Sequence, residues 1–241
     1  MNNCKKKREE NKKESKEKEY NESENETKER ITWDAFDGIS TNLMRGIYAI
    51  GFETPSPIQS KGILPILQKH HVMAQAQSGT GKTGTFVIGT LATIDTTKHC
   101  TQALVLAPTK ELAEQSKSVF EKVGSFLPDF NVQVCYGGSP SLSTVRPPHV
   151  ICGCPGRIYD MLCRRIIRPA HIQMFVLDEA DKMLTDTFES QIADILHFLN
   201  KDIQLCFFSA TFQPNIEDTI QYFAKNANFK PLTKIKIDST M

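Results

Sequence analysis

The sequence predicts one α/β domain, a mostly parallel sheet with helices on both faces. Two observations predict it. From Ile31 onward, short apolar runs alternate with longer helical patterns, and strands separated by helices at such spacing form parallel sheets. The runs Ala103-Leu104-Val105-Leu106-Ala107 and Met174-Phe175-Val176-Leu177 are almost unbroken apolar stretches, as suits strands buried on both sides. The chain has 241 residues, 39% hydrophobic and 24% charged, which excludes a wholly disordered or collagen-like chain.

Taken in order, residues 1–30 form a charged tail. They hold ten Lys/Arg and nine Asp/Glu, and Tyr20 is the only sizeable apolar residue between Lys5 and Arg30. Such a stretch buries too little surface to offset its ordering entropy, so disorder is expected. Lys5-Lys6-Lys7-Arg8 reads as part of a solvated tail, with a nuclear import signal or polyanion contact as the functional alternative. The domain is expected over 31–241. Its Lys/Arg and Asp/Glu balance at nineteen each, so any polyanion binding must come from local placement of charge. No apolar run reaches the roughly 18 residues of a membrane span, and the first residues lack the apolar segment of a secretory signal. A soluble, intracellular protein with no membrane partner is expected.

Helices are expected over 40–50 and 57–68, then a strand over 72–76 and a helix over 81–95. Strands at 102–107, 131–136 and 149–152 follow, with a helix over 109–124 after the first and another over 156–165 after the last. Strands over 173–177, 204–209 and 233–237 complete the sheet, separated by helices over 188–199 and 214–225. Of seven cysteines, Cys152 and Cys154 form C-x-C, not the C-x-x-C of a zinc or redox site. Most of the seven read as small hydrophobes in strands, as reduced thiols do in a reducing compartment.

The strongest chemical signal is Ala76-Gln77-Ser78-Gly79-Thr80-Gly81-Lys82-Thr83. It is the P-loop pattern, with Ala76 at the usual first glycine, and it sits between a strand and a helix as that motif requires. Gly79 and Gly81 let the backbone turn tightly so that N–H groups face phosphate oxygens. The helix N-terminus adds partial positive charge. Lys82 is placed to reach the β- and γ-phosphates, and Thr83 to ligate Mg²⁺. A second signal is the strand that runs into Asp178-Glu179-Ala180-Asp181. A carboxylate at the carboxyl end of a parallel strand projects where ligands bind. Asp178 suits a magnesium ligand and Glu179 a base for an attacking water, though Asp178 could instead cap a helix. Together these motifs predict a magnesium-dependent nucleoside triphosphatase.

The sequence Asp178-Glu179-Ala180-Asp181 spells DEAD, and the chain resembles the first RecA-like domain of the DEAD-box RNA helicases. The stretches RGIYAIGFETPSPIQ (45–59), AQAQSGTGKT (74–83), QALVLAPTKELA (102–113) and MFVLDEADKML (174–184) resemble the translation initiation factor four A subfamily. The resemblance implies ATP and Mg²⁺ as cofactors and RNA as a partner. It also implies a scaffold protein of initiation-factor type. Residues 51–59 look like an adenine-reading Q motif, in which Gln59 bonds the adenine edge, Phe52 stacks on its face and Thr54 lines the site. Phe36 looks like the upstream aromatic of that motif, with core packing as the equal alternative. Ser209-Ala210-Thr211 resembles the motif that couples nucleotide to unwinding, the expected link being hydrogen bonds to carboxylates such as Asp181. Read alone, Ser209 and Thr211 would be helix caps. Pro108-Thr109-Lys110-Glu111, Gly137-Gly138 and Pro155-Gly156-Arg157 resemble the RNA-contacting motifs. Each alone would read as a turn with a surface cation. Backbone contacts of that kind imply salt-sensitive binding with little sequence preference.

Three departures from the family fall on the RNA side. Lys110 stands where Arg is usual, replacing a bidentate fork with a point charge. Cys154 stands where Thr is usual, replacing a hydroxyl with a weak donor. The stretch between Gly138 and Pro148 is short and proline-rich, so its usual helix is not expected. The second RecA-like domain is expected to be missing from the chain and to be needed in cis or in trans. The expected function is an ATP-dependent RNA helicase, of which this is the N-terminal half. The alternative is a non-catalytic module that regulates or competes with a full-length helicase. Cytoplasmic work is expected, with the nucleus as alternative.

Overall fold

The computed structural model describes residues 32–185, 188–227 and 231–237. The expected charged tail lies outside the described residues. Seven strands form one sheet in the order β3-β4-β2-β5-β6-β1-β7, with every pairing parallel. They are β1 (His71–Gln75), β2 (Ala103–Leu106), β3 (Val132–Cys135), β4 (Val150–Gly153), β5 (Met174–Asp178), β6 (Gln204–Ser209) and β7 (Leu232–Lys236).

Alternation along each strand divides the core. Val72, Ala74, Val105, Val176, Cys206 and Phe208 face one side. There they meet α1 (Thr41–Ala49), α2 (Pro57–Leu67), α3 (Lys82–Thr93) and α4 (Lys110–Val123). Met73, Leu104, Phe175, Leu177, Leu205 and Phe207 face the other. They meet α5 (Pro155–Cys163), α6 (Ala180–Met183), α7 (Glu189–Phe198) and α8 (Pro214–Asn226). Because both faces are covered, the central strands β2 and β5 run apolar rather than alternating, apart from Asp178 at the end of β5.

All seven expected strands and seven long helices form, with ends shifted by one to a few residues. β3 stops at Cys135, since the Tyr136 amide turns to donate to Ser139 Oγ at 3.1 Å. α3 stops at Thr93, and Asp95 there organises a turn by accepting from the Thr97 amide at 3.0 Å. The four-residue α6 and the 3-10 turns Trp33–Ala35 and Pro169–His171 were not expected. No helix forms in 136–149, as the prolines there predict. The thiols of Cys135, Cys152 and Cys206 are buried in strands. Desolvation pushes Cys135 up to about 12 and Cys152 higher still, so both are neutral small hydrophobes.

Candidate nucleotide site and nucleic-acid interface

Parallel strands place all their carboxyl ends at one edge, and the expected site residues gather there. β1 leads through the P-loop into α3. Gly81 takes φ 105°, a left-handed conformation open chiefly to glycine, and directly precedes α3. Lys82 is buried, and its Nζ donates to the carbonyls of Ala76 at 2.7 Å and Gln77 at 3.2 Å. Thr80 Oγ1 donates to the Gln77 carbonyl at 2.7 Å, so Gln77 closes the loop from within. Thr83 lies in the first turn of α3, half-buried.

Beside this loop is a cleft of about 340 Å³, lined by Phe52, Thr54, Ser56, Gln59, Gly79 and Thr80 among others. Gln59 is buried, and its Oε1 accepts from the Ser56 amide at 2.8 Å. That bond fixes the amide's orientation and leaves Nε2 toward α3. The close fit depends on Gly84, where a Cβ would come within 2.5 Å of Gln59 Nε2 and 2.9 Å of the Phe52 ring. A Gly84→Ala chain must displace both side chains. It is expected to fold and to lose about tenfold in ATP affinity, as read by fluorescent-nucleotide titration.

One residue of this site escaped the sequence reading. Trp33 is fully buried, and its Nε1 donates to the Phe52 carbonyl at 2.8 Å. It anchors the loop that presents Phe52. Trp33→Phe deletes that donor and is expected to cost about 1–2 kcal/mol, against about 3–5 kcal/mol for Trp33→Ala; urea unfolding followed by circular dichroism separates them. Phe36 belongs to the apolar core, its ring 6.0 Å from that of Trp33, and it does not line the cleft. Core packing is therefore its structural role.

Asp178 ends β5 opposite Phe208 of β6, and β6 in turn pairs with β1. The acidic pair is thus one strand removed from the P-loop strand. Asp178 is buried; desolvation first, and the neighbouring Glu179 charge second, push its carboxyl up to about 6. Its Oδ1 accepts from the Glu179 amide at 3.0 Å. Glu179 adopts φ 53°, ψ 49°, a left-handed conformation uncommon for a non-glycine residue. Its Oε2 pairs with Lys182 Nζ at 3.1 Å, which holds that ammonium above its usual range. Ser209 and Thr211 do more than cap. Thr211 Oγ1 donates to Asp181 Oδ2 at 2.8 Å, while the amides of Asp181 and Thr211 both donate to Ser209 Oγ at 3.3 Å. The Ser209 carbonyl accepts from the Ala76 amide at 3.1 Å, so the network reaches the P-loop.

The hard oxygens of Thr83 and Asp178 suit Mg²⁺. An ion there would also offset the desolvation of Asp178. In the adjoining cleft Ser56 and Gln59 form a capping box at the start of α2, which fixes both polar side chains beside the P-loop.

The neighbouring strands β2, β4 and β3 end at the same edge. Pro108 and Thr109 follow β2, and Thr109 Oγ1 caps α4 by accepting from the Leu112 amide at 3.3 Å. Lys110 and Glu111 are exposed, with Lys110 Nζ 3.6 Å from the carboxylate. Gly137 and Gly138 follow β3 and are exposed; Tyr136 beside them donates from its hydroxyl to Glu114 Oε1 at 2.6 Å, tying that loop to α4. Pro155, Gly156 and Arg157 open α5, and Arg157 Nη1 pairs with Asp160 at 2.6 Å. The amino ends of α4 and α5 therefore face this edge, where their free N–H groups favour anions. Cys154 is half-buried, and desolvation first and Glu111 second raise its thiol, so it offers no anionic or strong donor group.

A family model described as DEAD/DEAH box helicase matches residues 56–219. The chain belongs to this family. It is 43% identical over 201 residues to the "ATP-dependent RNA helicase eIF4A" of Phaeosphaeria nodorum, covering 81% of this chain and 50% of that one. It is 47% identical over 197 residues to "Eukaryotic initiation factor 4A-8" of Nicotiana tabacum, covering 79% and 48%. Among solved structures it resembles S. cerevisiae Dbp5 bound to RNA and ADP BeF3, with a TM-score of 0.75, 34% identity, and 83% and 51% of the two chains covered. This DEAD/DEAH box chain spans about half the length of the curated relatives it matches. The family match runs from Ser56 through the P-loop, the acidic strand end and the Ser209–Thr211 network.

Proposed function

We propose that the chain binds ATP with Mg²⁺ and the RNA backbone, and couples ATP hydrolysis to duplex unwinding in translation initiation or RNA metabolism. The observation that carries this reading is the shared edge. The P-loop and acidic carboxylates sit at the ends of β1 and β5, and the loops resembling RNA motifs sit beside them at the ends of β2, β4 and β3. The Thr211–Asp181–Ser209 network lies between, and its Ala76 contact supports a coupling role. Gln59 and Phe52 would recognise and stack the base, and the P-loop amides and Lys82 would hold the phosphates. Thr83 and Asp178 would hold Mg²⁺, which supplies charge neutralisation on the phosphates. Glu179 would take the proton of the attacking water. Lys110, Arg157 and the two helix ends would grip phosphates, with Pro108, Thr109, Glu111, Gly137, Gly138, Pro155 and Gly156 shaping the loops.

A second RecA-like domain, in cis or in trans, is part of the proposal, as is a scaffold protein of initiation-factor type. We place the work in the cytoplasm on the initiation-factor-like stretches, with the nucleus as alternative; the location of a fluorescent fusion tests that. The test of function is ATP turnover with and without single-stranded RNA. RNA-stimulated turnover supports the enzyme. ATP binding without stimulation favours the second reading, a regulatory module, which the Lys110 and Cys154 departures support.

A further inference from the structure

The sheet edge opposite the P-loop carries a second surface. Among the connections that return the chain there to the amino ends of strands are α5 to β5 and α7 to β6. Asn200 ties these two, donating from Nδ2 to the Ala170 carbonyl at 3.0 Å. Ile166, Phe198 and Tyr222 are large apolar side chains left 38%, 40% and 63% exposed here. A groove of about 740 Å³ is lined by Leu162, Ile167, Pro169, Phe198, Arg165 and Arg168. A second, of about 450 Å³, runs between α7 and α8 past His197, Lys201 and Tyr222.

The charge on this surface is uneven. Arg164 is held by Asp160 at 2.7 Å, and the same carboxylate takes Arg157 at 2.6 Å. Arg165 and Arg168 are exposed, and neither forms an ion pair with any described residue. Lys201 adds a cation, set against the acids Asp194 and Asp202. Arg165 also sits at φ 58°, just past the end of α5, where a glycine would be unstrained. The sequence thus places a guanidinium on the groove's rim in spite of its backbone.

We propose that this edge docks an acidic segment of a partner protein. Its carboxylates would meet Arg165 and Arg168, and its apolar anchors would seat beside Ile167 and Phe198. Apolar pockets ringed by unpaired cations suit such a peptide, because the anchors supply affinity and the charges supply register and encounter rate. RNA fits less well, since its phosphates would leave the aliphatic floor uncovered. A two-fold contact with a second copy would set the same arginines against each other.

The test pans a random peptide display library against the full 241-residue chain, with an R165G/R168E chain as counter-target. Enriched peptides are expected to be acidic with apolar residues. Their synthetic consensus should bind the unaltered chain and lose about tenfold or more in the double variant. R165G alone relieves the left-handed arginine and should melt no lower than the unaltered chain. A loss of peptide binding there is therefore not a folding failure. The proposal is overturned if enriched peptides carry no acidic bias or bind the double variant equally. It is also overturned if the variant loses poly(U) binding instead, or if the unaltered chain sediments as a dimer that the variant dissolves. The surface lies away from the P-loop edge, so this outcome is independent of ATP turnover.

Discussion

Glu179→Gln is expected to lower RNA-stimulated ATP turnover by about 10²–10⁴-fold while leaving ATP affinity nearly unchanged. The magnitude is that of a positioned general base. The substitution keeps the side chain's length and one acceptor oxygen, so a water can still be oriented but its proton has no destination. The left-handed backbone at Glu179 and the amide bond to Asp178 are indifferent to the change. The lost pairing with Lys182 involves a largely exposed ammonium and is worth about 0–1 kcal/mol, so the variant folds. Single-turnover hydrolysis, measured alongside fluorescent-nucleotide binding, separates the two effects. Unchanged turnover would remove Glu179 from the reaction.

Asp178→Asn is expected to make the metal-free fold more stable and the protein functionless. Burial raises the Asp178 carboxyl from 3.8 to about 6. The folded state therefore binds the proton more tightly than the unfolded chain does. Stability from this group is complete below about pH 4 and is lost as pH rises through about 6. At pH 7 the buried charge costs roughly 3 kcal/mol at most. Asparagine keeps the acceptor for the Glu179 amide and removes the charge. Urea midpoints in metal-free buffer should rise for the variant at pH 7 and converge with the unaltered protein near pH 4. Added Mg²⁺ with ADP should stabilise the unaltered protein and leave the variant unmoved. Equal midpoints at pH 7 would mean that Asp178 is hydrated in solution.

The P-loop and the Asp178-Glu179 pair were legible because their chemistry needs fixed residue types at consecutive positions, each anchored by a strand. The sheet was legible because both faces of β2 and β5 are covered, which leaves uninterrupted apolar runs. The expected Asp181–Thr211 bond forms because β5 and β6 are neighbours in register. What escaped depends on contacts between elements. Trp33 reaches Phe52 across 19 residues, a link with no period or spacing to mark it. Phe36 could be read either way because an aromatic ring suits a core and a base equally; packing against Trp33 decides it. The four-residue α6 spans barely one helical turn, too short for a repeating apolar pattern to mark it. The pairing of Arg157 with Asp160 depends on rotamers that spacing alone leaves open.

The strand order also bears on how the protein is made. Among the described strands β1 is the first to leave the ribosome, yet its neighbours β6 and β7 follow all the others, with Val72 lying opposite Cys206 and Thr233. At roughly 5–20 residues per second, β1 waits on the order of ten seconds for its partners. During that interval the nascent chain holds an apolar strand with both edges open, a natural client for chaperones. The strand that leads into the P-loop is thus fixed on both sides only after β6 and β7 are made.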